Sequence, residues 1–184
     1  MHVRSPSNER GWNWNDTLIF EHGKFENTTI DEFRVHAEGV VVNTRTSVEL
    51  ADAFIDDVLA WFFETYDYVV KKYPPIEKFF FSNLEVHIDH DVSGLVKDLA
   101  SIARLITQKL EEYETHTGEF VPSGLSMNFD PASYKGANPP GQFTIERKLN
   151  CPYDQHLYVS SAPLKTDDHL EVLDILDSLL ERIA

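Results

Sequence analysis

The stretch FFFSNLEVHIDHDVSGLVKDLASIARLITQKLEEY, residues 79–113, carries the clearest periodicity in the chain. In its first half, apolar side chains alternate with polar ones. Alternation with a period of two is typical of a strand that buries one face and exposes the other. This half of the stretch therefore predicts a strand. The apolar positions are Leu84, Val86 and Ile88, and the polar positions are Glu85, His87 and Asp89.

The second half of the stretch changes to a period of three and four residues, which marks the apolar stripe of an amphipathic helix. Asp91 is the predicted N-cap, because its carboxylate can accept the free N–H groups of the first turn. Gly118 is the predicted end, because glycine tolerates the left-handed conformation at a helix terminus. A strand followed by a helix that packs on it predicts the centre of an α+β fold. The stripe consists of Val92, Leu95, Val96, Leu99, Ile102, Ala103, Ile106 and Leu110.

The rest of the chain predicts further strands and two more helices. Residues 17–45 have the pattern of an antiparallel meander. Thr46 opens the next helix through a capping box with Glu49, and the helix ends before Pro74. The last elements are strands within 121–130, 143–149 and 156–160 and a helix that begins at Thr166.

These elements define the predicted fold class and domain organisation. Short links between the last three predicted strands favour antiparallel pairing. We predict an α+β fold, a mostly antiparallel sheet with about three long helices packed mainly on one face. Residues 1–15 are predicted to form a flexible N-terminal arm, and residues 16–184 a single α+β domain.

The chain is strongly acidic, and this limits its partners. Its 184 residues include 31 Asp and Glu but only 16 Lys and Arg, which gives a net charge of −15. Coulomb repulsion would oppose direct binding to nucleic acid or to an anionic lipid surface. The excess charge either serves solubility or complements a basic protein partner. No membrane association is predicted.

Cysteine content and hydropathy favour the cytoplasm. Cys151 is the only cysteine, so the chain cannot form an internal disulfide, which fits a reducing compartment. No run of about 18 apolar residues predicts a membrane span. The polar residues at the beginning of the sequence do not resemble a secretory signal. We therefore predict a cytoplasmic location.

The residues around the end of the predicted central strand are candidates for a metal site. His87 and Asp89 share one strand face with Glu85, and His90 and Asp91 follow directly. Such side chains supply the nitrogen and oxygen ligands that divalent metals use. The alternative is a solvated strand face with Asp91 as a helix cap. No second cluster with the spacing of a known metal motif supports the metal hypothesis.

Cys151 lies close in sequence to Asp154 and His156, which are the residue types of a cysteine nucleophile with its base and orienting carboxylate. Pro152 and Tyr153 between them indicate a turn, and no local signature of a cysteine enzyme surrounds them. A structural cysteine is the favoured interpretation. Residues 131–141 predict a long Pro- and Gly-rich loop without a nucleotide-binding pattern.

Two groups of residues are candidates for partner binding. Trp12 and Trp14 lie in the predicted arm, where they either cover a nearby apolar face or anchor a partner. Carboxylates around the end of the central helix oppose the helix dipole, which can mark a binding surface or a tolerated solvated end. These carboxylates are Glu111, Glu112, Glu114 and Glu119.

These observations favour a non-enzymatic protein-interaction module, such as an accessory subunit, an adaptor or an inhibitor, with an acidic surface that binds a basic protein. The sequence contains no motif for a catalytic serine, a zinc protease, a calcium loop or a nucleotide, and no cofactor is predicted. One alternative is a metal-dependent hydrolase centred on His87 and Asp89. The other is a domain that binds a small ligand. The sequence leaves the oligomeric state open.

Overall fold

The computed structural model describes residues 2–4, 17–66, 76–113, 118–134 and 138–183. The chain divides into two compact units, Met1–Lys78 and Phe79–Ala184, which are described separately. Within these described ranges, each unit contains a four-stranded antiparallel sheet, and three α-helices accompany the strands. The α+β class and the antiparallel pairing are thus confirmed. The described strands form two sheets rather than the single predicted sheet. The sequence could not predict this division, because the alternation within a strand does not specify which other strands it pairs with.

The first unit is built on a meander of consecutive hairpins. Its strands pair in the order β1-β2-β3-β4, all antiparallel, so the predicted meander is confirmed. Strand β1 lies inside the predicted arm but pairs with β2, and three residues are too few to show a period. The rest of that arm, with Trp12 and Trp14, lies outside the described residues. The strands are β1 (His2–Arg4), β2 (Leu18–Phe25), β3 (Thr28–His36) and β4 (Gly39–Thr44).

Helix α1 (Val48–Thr65) follows the meander. The predicted capping box of Thr46 with Glu49 is wrong: Ser47 occupies the N-cap position and makes no side-chain capping bond. The Thr46 N–H instead donates to the Thr44 hydroxyl at 3.2 Å. This N–H is the group that a capping box would have paired with the Glu49 side chain. Phe54 packs edge-on against the ring of Phe33, with the ring centres 5.3 Å apart, and so joins α1 to the meander.

The second unit pairs its strands in the order β5-β8-β7-β6, again all antiparallel. Strands were predicted in all four places, and the structure confirms them with somewhat different bounds; the last one continues to Ala162, two residues beyond the predicted end. Along β8, alternate side chains are buried, as one-sided packing of a sheet requires. The strands are β5 (Ser82–His87), β6 (Gly124–Met127), β7 (Phe143–Arg147) and β8 (Leu157–Ala162).

The predicted central helix is two elements. A 3-10 segment covers Val92–Leu99, and helix α2 (Ala100–Glu112) continues from it. The prediction of one continuous helix is wrong here, because Val96 has non-helical angles (φ −122°, ψ 37°) and Gly94 contributes little helix propensity. Asp91 caps the 3-10 segment as predicted, accepting the N–H of Ser93 at 2.9 Å.

Helix α3 (Thr166–Ile183) supplies much of the core of the second unit. Leu173, Leu176 and Leu180 on its inner stripe are buried with Ile145 and Tyr158 of the sheet. Burying one leucine side chain contributes about 1.5–3 kcal/mol. The sequence pattern indicates a stripe that also includes Leu170 and Ile183, but these two residues are 43% and 41% exposed.

A buried histidine lies between α3 and the sheet. The His169 side chain is fully buried, and its two ring nitrogens meet the hydroxyls of Ser82 (Nδ1, 2.6 Å) and Ser160 (Nε2, 2.8 Å). The Ser160 hydroxyl donates its own proton to the Thr144 carbonyl, so it accepts from Nε2–H. Nδ1 then accepts from Ser82, and the ring is neutral. Burial lowers the pKa of His169, which agrees with this assignment.

The neutral state of His169 predicts a pH-dependent stability. Because its pKa is lowered on folding, the unfolded chain binds the proton first as the pH falls. Stability should be complete above about pH 6.5 and fall by up to about 1.4 kcal/mol per pH unit below it. His169→Gln keeps one donor and one acceptor but does not titrate. Urea unfolding of this variant should give a flatter profile between about pH 7 and 5; the same slope in both proteins would contradict the assignment.

Candidate functional site

The predicted metal ligands do not converge. His87 ends β5, and its Nδ1 lies 3.6 Å from the Asp89 carboxylate, with both side chains exposed. Glu85 instead forms an ion pair with Lys148 at 2.5 Å. Among the described residues, no group of three His, Cys, Asp or Glu side chains could hold a metal ion. His87 and Asp89 thus form a pair rather than a site.

His90 and Asp91, the other two residues of that cluster, also have partners. His90 Nδ1 lies 3.0 Å from the carboxylate of Asp177 on α3. Asp91 lies 2.6 Å from Nη2 of Arg147. Burial alone would raise the pKa of Asp91, but hydrogen bonds from Ser93 and the charge of Arg147 outweigh it and hold this pKa below its usual value. The Asp91 carboxylate therefore serves as a helix cap and an ion-pair partner.

Arg147 is the centre of a second cluster, which we call the Arg147 cluster (Asp91, Arg147, Tyr153 and Tyr158). Only 7% of the Arg147 side chain is exposed. Its Nη1 donates to the Tyr153 carbonyl at 2.8 Å, and its guanidinium lies 4.2 Å from the centre of the Tyr153 ring. The Arg147 side chain is thus buried, and its charge is paired.

Tyr158 connects the Arg147 cluster to the 3-10 segment. Its hydroxyl accepts the N–H of Val92 at 3.1 Å and donates to the Asp91 carboxylate at 3.2 Å. Burial is the main reason that the pKa of Tyr158 is raised, so the hydroxyl keeps its proton. Arg147 is enclosed, and the carboxylate of its partner Asp91 already accepts hydrogen bonds from Ser93 and Tyr158. The cluster therefore stabilises the fold rather than binding a ligand.

The Arg147 cluster predicts that two neighbouring carboxylates contribute differently to the free energy of unfolding. Asp91→Asn should lower the free energy of unfolding by about 1–3 kcal/mol, because it leaves a buried guanidinium without its counter-charge. Asp89→Asn removes an exposed carboxylate and should stay within about 0.5 kcal/mol of the wild type. Urea unfolding at neutral pH measures both. Equal effects of the two changes would contradict this account of Asp91.

The candidate group of Cys151, Asp154 and His156 is not assembled as a nucleophile and its base. Cys151 is half-buried, and its backbone N–H bonds to the Lys148 carbonyl at 3.4 Å. His156 has a left-handed backbone (φ 48°), and its Nδ1 lies 3.2 Å from the Asp89 carbonyl oxygen. Among the described residues, no hydrogen bond joins Cys151 to His156. The two residues are placed as parts of a turn.

A groove lies beside α2 in the second unit. It has a volume of about 560 Å³. The 3-10 segment and α2 form one wall, and residues 119–122 form the other. Thr107 joins the two walls, because its hydroxyl donates to the Ala103 carbonyl at 3.1 Å and accepts the N–H of Phe120 at 2.9 Å. We call this surface the α2 groove.

The α2 groove has small residues in its lining and opposite charges along its length. Gly94, Ala100 and Ala103 contribute little side-chain volume, so a bound group could approach the helix closely. The charged residues of the lining fall into two pairs along the chain. Lys97 and Arg104 belong to the first part of the wall, and Glu111 and Glu119 lie on either side of the end of α2.

Part of the predicted partner-binding set therefore meets in one place. Glu111 and Glu119 both line the α2 groove. Glu112 instead pairs with Lys109 at 2.7 Å, and Glu114 lies outside the described residues. The sequence could have indicated the α2 wall, because small and polar residues recur there every three or four residues and so lie on one face of the helix. It could not place residues 119–122 opposite, because that contact depends on Thr107.

A comparison with protein-family models, curated proteins and solved structures finds no match to this chain. Within the described ranges, no helix is both long and apolar enough to cross a membrane.

The placement of His87 and Asp89 predicts the result of a metal titration. Two side-chain ligands fall short of the three or four that protein zinc sites use. Zinc or magnesium should therefore leave the melting temperature unchanged. A metal present at 100 times its dissociation constant would add about 2.7 kcal/mol of stability. A rise of that kind, abolished by His87→Ala, would contradict this expectation and support the metal-dependent hydrolase.

Proposed function

We propose that this protein is a non-enzymatic interaction module, an accessory subunit, adaptor or inhibitor, and that its α2 groove receives a segment of another protein. The α2 groove is the observation that carries this proposal. It is bounded by two walls that Thr107 holds together, so it is a formed surface and not a gap between loose segments. Grooves beside helices are a recurrent way to bind peptide segments.

The apolar part of the lining supports a protein segment as the occupant. Val96, Val121 and Pro122 add apolar surface above the small residues of the groove, and the exposed Phe120 extends it. Apolar side chains of a partner would be removed from water in this groove. This burial contributes about 25 cal/mol of favourable free energy for each Å² of apolar surface removed from water.

The charges of the lining support a basic group at one end. Glu111 and Glu119 offer two carboxylates to a lysine or arginine of the partner, while Lys97 and Arg104 favour an acidic group elsewhere in the groove. A segment would therefore bind in one direction. The net charge of −15 would speed the approach of a basic protein and oppose nucleic acid.

Charge reversal tests the proposal. Glu111→Lys with Glu119→Lys should abolish capture of the partner from cells that make this protein, because the basic group would then meet two ammonium groups. The matched control is Glu171→Lys with Asp174→Lys on α3, which changes two exposed carboxylates and shifts the net charge equally. The control should retain the partner. Capture is read by mass spectrometry at low and high salt.

Three outcomes separate the possibilities. Loss of the partner in the groove variant alone supports the groove. Equal loss in both variants would mean that total charge, and not the groove, drives binding. Retention in both, or capture that is insensitive to salt, would overturn the role of Glu111 and Glu119.

A small ligand is the second candidate for the same surface. The volume of about 560 Å³ lies within the range of small-molecule sites, about 300–1,000 Å³. A fragment screen read by chemical shifts would favour this candidate if hits cluster at Ala100, Ala103 and Thr107 and no protein partner is captured. The cytoplasmic location is part of the proposal for an interaction module. The metal-dependent hydrolase centred on His87 and Asp89 remains a separate alternative.

A further inference from the structure

Among the described strands of the first sheet, β4 forms one edge, and its composition is unusual for an edge. It reads GVVVNT over Gly39–Thr44 and contains neither a charged residue nor a proline. Proteins usually protect sheet edges with charges, prolines or bulges, because the free backbone groups can pair with another strand. Val41 is 44% exposed in this edge, and a shallow depression of about 450 Å³ runs from His36 to Val41.

The register of the β3–β4 hairpin shows which backbone groups of β4 point outward. A two-residue turn joins His36 to Gly39, so this pair exchanges hydrogen bonds. Hydrogen-bonded pairs alternate with non-bonded ones in an antiparallel ladder. The N–H and C=O groups of Val41 therefore face Arg34, while those of Val40 and Val42 face away from β3.

We propose that β4 is a dimerisation edge, which pairs antiparallel with β4 of a second copy of this chain across a two-fold axis at Val41. In that register, Val40 lies opposite the partner's Val42, and both present outward backbone groups. The axis brings Val41 opposite its own copy as a non-bonded pair, the type in which side chains are closest. The result is a continuous eight-stranded sheet.

The charge distribution argues for a second copy as the occupant. Two molecules of net charge −15 repel each other, so self-association requires a contact without like charges. The β4–β4 register places only glycine, valine and asparagine opposite each other. On the neighbouring strand, the charge of Arg34 is already matched by Glu32 at 2.6 Å. Along β4 itself a basic or acidic partner would find no counter-charge, since the nearest charged residues in the chain, Glu38 and Arg45, lie just beyond its two ends.

The symmetry of the contact also limits its size. Each copy uses the same edge, so the pairing is isologous and closes at two subunits. A self-complementary register therefore predicts a dimer rather than a filament. This inference concerns the first unit and does not depend on the α2 groove.

Cysteine cross-linking tests the register directly. In a Cys151→Ser background, Val41→Cys places the two thiols opposite each other, at a Cβ separation of about 4.5–5.5 Å that is close to what a disulfide needs. Mild oxidation should give a covalent dimer. The matched control is Asn43→Cys, which lies four residues away from its own copy, about 13 Å at strand spacing. It should remain monomeric on denaturing gels.

Sedimentation equilibrium supplies an independent test on uncross-linked protein. Val41→Lys should raise the dissociation constant of the dimer at least about tenfold, because two lysines would face each other across the axis. Val41→Thr keeps a β-branched, uncharged side chain and should dimerise like the wild type. Ser126→Lys in β6 adds the same charge on the other sheet and should also leave the dimer intact.

The result that would overturn the inference is a wild-type chain that stays monomeric up to about 1 mM, the range of the weakest specific complexes. Equal cross-linking of Val41→Cys and Asn43→Cys would also overturn it, since that indicates random collision. Far-UV circular dichroism and melting curves of each variant establish that β4 still folds. A variant that fails to fold is replaced by Val42→Pro, which removes one outward N–H and is tolerated best at an edge.

Discussion

The ion pair between Asp91 and the buried Arg147 is the contact on which the α2 groove depends. Asp91 caps the 3-10 segment, while the Tyr158 hydroxyl ties both its carboxylate and the Val92 N–H to the core. The 3-10 segment leads directly into α2, so the start of the helix is fixed to the sheet at this point. Loss of the Asp91 carboxylate would therefore remove the ion pair, the cap and one contact to the core together.

The charges that make up the net charge of −15 are distributed unevenly over the surface of this protein. Exposed carboxylates along α3, among them Glu171 and Asp174, would repel acidic partners. The edge of β4 carries no charge at all, and the α2 groove carries both signs. Long-range attraction and short-range docking can therefore be served by different parts of the molecule. In the proposed mode of binding, the overall charge would favour basic proteins, and the local surfaces would determine where contact occurs.

The sequence predicted the strands and the class of fold because period-two and period-three-to-four patterns are local. It failed where the outcome depends on contacts between distant residues. The kink at Val96 replaces a continuous helix, and the division into two sheets depends on which strands pair. His169 was not a candidate, because nothing in its neighbourhood shows that Ser82 and Ser160 would meet its two nitrogens. Of the predicted binding carboxylates, the sequence could not tell that Glu119 would join Glu111.

The helix dipole gives Glu111 a physical reason to favour a basic group. The carbonyl end of α2 carries partial negative charge, so an exposed carboxylate in the last turn costs about 0.3–1 kcal/mol. Glu112 offsets this cost through Lys109 at 2.7 Å, whereas no ion pair within the described residues neutralises Glu111. In the proposed complex, an ammonium or guanidinium group beside Glu111 would relieve its opposition to the dipole. Because the same local cost is present in the free protein, its relief would add to the affinity for a basic group without any rearrangement of the helix.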